Sequence, residues 1–279
     1  MNSSTYKRER LLILVKTYPT LSTKYDELVC TAGMTPDGRW LRLYPIVYRK
    51  LDFDKWYKKY QWVEIDVQKN TSDPRPESFR PYNMCEDITF HGSIDTKNGW
   101  EKRRQVVLRN VYDDLGKLIA DNKRDDAKQV SLAVFKPTRV LDFKITPAKQ
   151  RTWDPEKLKA IESRKAQRDL FGGGENPFKI MDKLPYEFRY EFEDMRGKRS
   201  ALMIEDWEIG QLYWNCLERA EGDEAVACAK VREKYFDEFL KRDLYFFMGT
   251  TRRYNEWADN PFLIIGCFWP PKREPTLFE

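Results

Sequence analysis

Apolar and polar residues alternate through much of the first third of the chain, the pattern of strands that bury one face. In Trp62–Val67, Val63, Ile65 and Val67 share one side, while Trp62, Glu64 and Asp66 share the other. Leu11–Thr17 is a continuous apolar run ending at Tyr18-Pro19 and also reads as a strand. After the turn signal Pro36-Asp37-Gly38, Arg39–Tyr44 reads as the next one, with Leu41 and Leu43 pointing one way and Trp40, Arg42 and Tyr44 the other. Ile88–Ile94 is a further candidate. The period then changes: Val107, Val111, Leu115 and Leu118 recur at helical spacing, with Lys102, Arg103, Arg104 and Arg109 on other faces. Ser131–Phe135 and Arg139–Ile145 return to strand.

From 147 to 180 the pattern loses its apolar face. Asp154-Pro155 is a helix start, aspartate as cap and proline at the first helical position. The charged helix it opens, to about Leu170, runs into Gly172-Gly173-Gly174. A phosphate-cradling loop needs Gly-Lys-Ser/Thr downstream, and none follows, so the stretch reads as a connector. Beyond it, Tyr186, Phe188, Tyr190 and Phe192 alternate with Glu187, Arg189, Glu191 and Glu193. A Met195–Lys198 turn leads to a strand ending near Ile204. Two amphipathic helices follow, one carrying Ile209, Leu212, Tyr213, Cys216 and Leu217, the other Cys228, Val231, Tyr235, Phe239 and Leu240 with Asp223 as cap. Leu244–Thr250 and Phe262–Trp269 close the chain as strands. Strand, hairpin, helix, strand thus occurs twice, and five-stranded barrels with an inserted helix are one common way to arrange it. The predicted fold is a mixed, β-rich α+β chain of two OB-like barrels. Residues 1–146 form the first domain, 147–180 the charged, Gly-rich connector, and 181–279 a second domain with two helices.

Composition narrows the class. The 279 residues are 34% charged and 14% aromatic, neither a disordered nor a membrane composition. The longest apolar runs fall far short of the ~20 residues a membrane helix needs. MNSSTYKRER lacks the layout of a signal peptide, and the five scattered cysteines form no Cys-x-x-Cys pair. Both point to a cytoplasmic protein with reduced thiols and no zinc knuckle. The net charge of +5, from 50 basic against 45 acidic residues, is too mild to imply nucleic acid by itself. Where the charges cluster must carry that argument.

Several segments bear a family likeness: KTYPTLSTKYDELVCTAG running into GRWLRLYP, then DPRPES, MIEDWEIGQLYWNCL, and FFMGTT with NPFLIIGCFWPP. Over nearly its whole length the chain resembles the dual OB-containing domains, a family of bacterial proteins. That resemblance implies two OB-like barrels and a nucleic-acid-binding role, although fold alone does not license a function.

The face Trp40-Arg42-Tyr44 is the leading candidate site. Unpaired bases stack on aromatic rings for about 1–3 kcal/mol each, and arginine adds phosphate contact or stacking. Arg39 precedes this face; Lys16 and Tyr18, Arg49 and Lys50, and the run Lys55–Tyr60 lie nearby in sequence. The competing reading is a strand covered by a helix or the other domain, with Arg42 paired to Glu64. Asp73–Tyr82 displays Arg75 and Arg80 on a proline-stiffened loop suited to phosphate; alternatively Arg75 clips to Asp73 or Glu77 and closes it. Arg252, Arg253, Tyr254 and Trp257 form a second basic, aromatic loop, a nucleic-acid contact or a solvated hairpin.

Catalysis has one opening. Glu205, Asp206 and Glu208, with Glu64 and Asp66, could hold Mg²⁺ for phosphodiester cleavage, but Asp206 also sits where a helix cap belongs. His91, the single histidine, has no nucleophile elbow to serve. The chain therefore reads as a non-enzymatic binder of single-stranded DNA or RNA without cofactor or metal, working with a separately encoded effector as a recognition subunit. A metal-dependent nuclease is the second reading and a protein–protein adaptor the third.

Overall fold

The computed structural model describes residues 6–51, 55–83, 87–170 and 178–273. Its strands are β1 (Lys7–Lys16), β2 (Thr20–Ser22), β3 (Asp26–Met34), β4 (Trp40–Ile46), β5 (Gln61–Lys69), β6 (Ser78–Pro81), β7 (Thr89–Ser93), β8 (Val111–Tyr112), β9 (Leu132–Phe135), β10 (Arg139–Pro147), β11 (Tyr186–Glu193), β12 (Arg199–Met203), β13 (Tyr245–Thr250) and β14 (Phe262–Phe268). The helices are α1 (Lys97–Val107), α2 (Leu115–Asn122), α3 (Pro155–Leu170), α4 (Trp207–Arg219), α5 (Glu224–Arg232) and α6 (Arg252–Asn255). Among the described residues no helix is long and apolar enough to cross a membrane.

The first barrel closes in the order β1-β3-β4-β6-β5 and back to β1, with β4 and β6 parallel and the other pairs antiparallel. Numbered along the chain this is 1-2-3-5-4-1, the strand order of an OB-fold. Leu11, Ile13, Val29, Leu41, Leu43, Val63, Ile65 and Val67 fill it. The second barrel repeats the order. β9 and β10 act as one bent strand; β10 pairs with β11, β11 with β12, β14 with β13, and β13 with β9. A parallel bridge between Ile204 and Ile264 closes the remaining gap. Helices α4 and α5 lie between its third and fourth strands. Tyr190, Phe192, Phe246, Ile209 and Tyr213 are among its buried core.

Several expectations need correction. β9 and β10, assigned from the sequence to the first domain, pair with β13 and β11, so the second barrel starts well before residue 146. The helix expected through Val107 and Leu118 is two helices separated by β8, because Asp114 caps α2 by accepting from the Lys117 amide at 3.0 Å. β3 escaped notice because it is buried on both faces and shows no alternation. α3 forms as predicted, while Gly172–Gly174 lie outside the described residues.

The barrels do not hang apart on a linker. Leu12, Leu14, Ala32 and Met34 on the outside of the first meet Val134, Phe247, Leu263 and Ile265 on the outside of the second in one continuous apolar cluster. Burying such a layer stabilises by about 25 cal/mol per Å² removed from water. At the margin, the Tyr18 ring lies where a Cβ on Gly210 of α4 would come within 2.3 Å, so that approach needs glycine.

Candidate functional site

The second barrel occupies the face on which the stacking platform was expected. Arg42 is 3% exposed. Its Nη1 donates to Ser131 Oγ at 2.8 Å and Ser78 Oγ at 3.3 Å, and its Nη2 to the Ser131 carbonyl at 3.1 Å. Trp40, half-buried, meets Phe247 edge-on at 5.8 Å, and Tyr44 is half-buried too. The row is thus divided between an inter-barrel clamp and packing. Arg42 does not pair with Glu64, which faces His91 at 3.2 Å.

Arg75 is likewise an internal tie. It holds Asp73 through Nε at 2.8 Å and Nη2 at 2.6 Å, and its Nη1 donates to the Thr250 carbonyl in the other barrel. This loop joins the fourth and fifth strands of the first barrel, and it is docked rather than displayed. Tyr18 is buried, donating to the Asp182 carbonyl at 2.6 Å and accepting from Trp214 Nε1 at 2.7 Å. Arg49 donates to Glu27 at 2.7 Å and to the Lys179 carbonyl at 3.1 Å, and so fastens the connector. Arg39, paired with Asp37 at 2.7 Å, and Arg80 are the exposed members of this group.

Asp206 caps α4, its Oδ1 accepting from the Glu208 amide at 3.3 Å, and is 2% exposed. Burial, then the nearby Glu208 charge, pushes its carboxyl up to about 7. Burial acts against the Lys59 ammonium as well, but Glu208 at 2.6 Å together with Tyr60 and Asp206 outweighs it and holds Lys59 above the usual lysine range. Lys16, over the Tyr48 ring at 4.4 Å, is pulled by burial down to about 8. Asp66 pairs with Arg8, on a different part of the barrel wall. Among the described residues no three acidic, histidine or cysteine side chains gather as a metal site.

What the fold does bring together lies along the seam between the barrels. A basic trough of about 740 Å³ is bordered by Arg104, Arg109, Lys136, Arg242, Lys272 and Arg273, against Glu101 and Asp243. Asp243 binds Arg104 at 2.9 Å and Lys136 at 2.5 Å, and Arg273 reaches Glu101 at 3.2 Å. Six cations against two carboxylates leave the trough positive.

Two further cavities lie along the seam, and Arg242 of the trough lies over the Trp269 ring of the first at 5.5 Å. One, of about 450 Å³, is walled by Tyr60, Trp100, Phe239 and Trp269 with Lys59, Arg103 and Glu208. Trp269 stacks on Phe239 at 4.7 Å and meets Trp100 at 5.1 Å. Arg103 lies over Tyr60 at 3.8 Å and over Trp100 at 4.7 Å. The other, of about 360 Å³, is edged by Arg39, Trp40, Phe79, Tyr112 and Lys128. Arg109 links it to the trough by donating to the Pro36 carbonyl at 2.5 Å beside Gly38.

Sequence reading passed over Trp100, Arg242, Lys272 and Arg273. Two signals were present: Gly99-Trp100-Glu101-Lys102-Arg103-Arg104, and Trp269-Pro270-Pro271-Lys272-Arg273 after the last strand. In each, an aromatic ring precedes a run of cations, three in the first and two in the second. The predicted Arg252, Arg253 and Tyr254 are exposed on α6, the link between β13 and β14, where Tyr254 meets Trp257 at 5.1 Å.

A family model described as a domain of unknown function (DUF8757) matches residues 113–279, more than half of the chain. The chain belongs to the DUF8757 family. A second model, a domain of unknown function (DUF8758), matches residues 7–109. β8 lies in the break between the two, and β9 to β14, the strands of the second barrel, all fall within the DUF8757 match. The search of curated proteins gave no match. Among solved structures, a murine DNA-binding protein bound with double-stranded DNA aligns at 7% identity and a TM-score of 0.30, over 97% of this chain and 98% of the other. A replication protein A heterotrimer bound to single-stranded DNA aligns at 9% and 0.27, over 96% of this chain and 66% of the other.

Proposed function

We propose that this DUF8757 protein is a non-enzymatic nucleic-acid-binding protein that holds a single strand along the seam between its two barrels. The observation that carries the reading is a trough of six cations beside an aromatic cavity, the two meeting where Arg242 lies over the Trp269 ring at 5.5 Å. A strand needs both, cations that follow its phosphates and rings that take its unpaired bases. A duplex keeps its bases stacked and would leave the aromatic cavity unused. Arg39 and Trp40 extend the path on one side, and Arg252, Arg253 and Tyr254 on α6 supply a separate contact.

The nuclease reading has less support. Glu64 faces His91 and Asp66 pairs with Arg8, while Asp206 caps a helix and Glu208 is tied to Lys59. A binder without its own chemistry suits a recognition subunit that presents the strand to a separately encoded effector.

Fluorescence anisotropy with labelled single-stranded DNA, single-stranded RNA and the matching duplex, each at two salt concentrations, tests the proposal. Single strands should bind more tightly than duplex and weaken steeply with salt. Equal or tighter duplex binding would overturn it.

A further inference from the structure

We infer that the aromatic cavity beside the trough is a guanine site, a reading that rests on the proposed single-strand function and names the base it selects. Its volume of about 450 Å³ lies in the range of ligand pockets and accommodates a purine. Trp100 and Trp269 wall it with their ring centres 5.1 Å apart and their planes tilted by 56°, Trp269 backed by Phe239.

The polar groups in the wall decide which base. The Glu208 carboxylate is 47% exposed, and Lys59 Nζ holds its Oε2 at 2.6 Å. Lys59, an ammonium with three N–H donors, also donates to the Cys267 carbonyl at 3.2 Å. An ammonium donor therefore sits directly beside a carboxylate acceptor. The pairing edge of guanine presents the complementary order: the O6 acceptor, then the N1–H and N2–H donors. Cytosine and adenine each offer a single exocyclic amine to a carboxylate, and uracil offers only its N3–H between two carbonyls.

Backbone conformation adds an independent observation. Tyr60 and Trp100 both line the cavity and both adopt positive φ, 63° and 68°. Asn98, Gly99 and Trp100 form three successive left-handed residues at the start of α1. For a bulky aromatic residue this conformation is disfavoured, and such strain persists where the surrounding structure enforces it, frequently at ligand sites. Cations on the adjoining trough stand ready for the phosphate of a nucleotide whose base is inserted.

Calorimetric titration of the full chain with guanosine, inosine, adenosine, cytidine and uridine 5′-monophosphates tests this directly. Guanosine monophosphate should bind at least tenfold more tightly than the other four. Inosine differs from guanosine only by the missing N2 amine, so that comparison needs no altered protein. Glu208→Gln should remove the preference for guanine over inosine.

Equal affinity for all five nucleotides, no binding of any, or an unchanged preference in Glu208→Gln would overturn the inference. The outcome separates from that of the broader proposal. Oligonucleotide binding with no guanine preference sinks the base assignment alone. Binding of guanosine monophosphate without oligonucleotide binding sinks the strand reading alone and leaves a free-nucleotide site.

Discussion

The Arg42 guanidinium reaches from the outer face of the first barrel to Ser131 in the second, donating to its Oγ at 2.8 Å and its carbonyl at 3.1 Å. One side chain thereby ties together two units that resemble separate domains along the sequence. The bonds are buried and charge-assisted, the class whose loss leaves acceptors unpaired away from water.

Arg42→Ala should therefore cost about 2–4 kcal/mol of unfolding free energy, read by denaturant titration. Arg42→Lys should recover only part, since one ammonium cannot serve the acceptors that the planar fork reaches. A loss below about 0.5 kcal/mol, the range of ordinary surface changes, would show that the clamp contributes nothing.

Trp40→Ala removes the edge contact with Phe247 and leaves a void in the inter-barrel layer. It should lower stability by about 2–4 kcal/mol, where a free stacking platform would lose binding and keep its melting temperature. Calorimetry of the variant decides between the two.

A pH profile tests the buried carboxylate. Asp206 titrates near 7 in the folded protein against an ordinary value of 3.8, so the folded state holds a proton that the unfolded state has released between those values. This group's contribution to stability is complete below pH 3.8 and is lost as pH rises through about 7. Lys16 runs the other way. Its folded value of about 8 lies below 10.5, so its contribution is present above 10.5 and is lost as pH falls through about 8. Asp206→Asn keeps a capping side chain and should flatten the decline from pH 4 to 7 in chemical denaturation. An unchanged profile would place the titration elsewhere.

Much of the architecture was legible in the sequence. β5 and β11 show clean alternation because one face meets a barrel core and the other meets water or ion pairs. β3 is buried on both faces and gave no such signal. The site was less legible for a related reason. Alternation along β4 says which side of the strand Arg42 occupies, but only the tertiary structure says that the second barrel covers that side. Arg75 followed the same course: proline-stiffened and basic, it read as displayed, yet it is spent on Asp73 and Thr250. The aromatic cavity draws Tyr60, Trp100, Glu208 and Trp269 from four distant places, a juxtaposition that no local pattern records.

Lys272 is exposed at the trough rim. Lys272→Ala should leave stability within about 0.5 kcal/mol. It should also reduce the slope of log affinity against log salt by about 0.7, the value for one phosphate contact on a single strand. A slope equal to that of the unaltered protein would remove this lysine from the path.

The most direct test of the seam as a single-strand site is the affinity of a labelled single-stranded 15-mer for the unaltered protein and for Arg242→Glu/Lys272→Glu. Reversing two trough charges should weaken binding at least tenfold at low salt while the protein stays folded. Equal affinity of the two proteins for the strand, with both folded, would contradict the account.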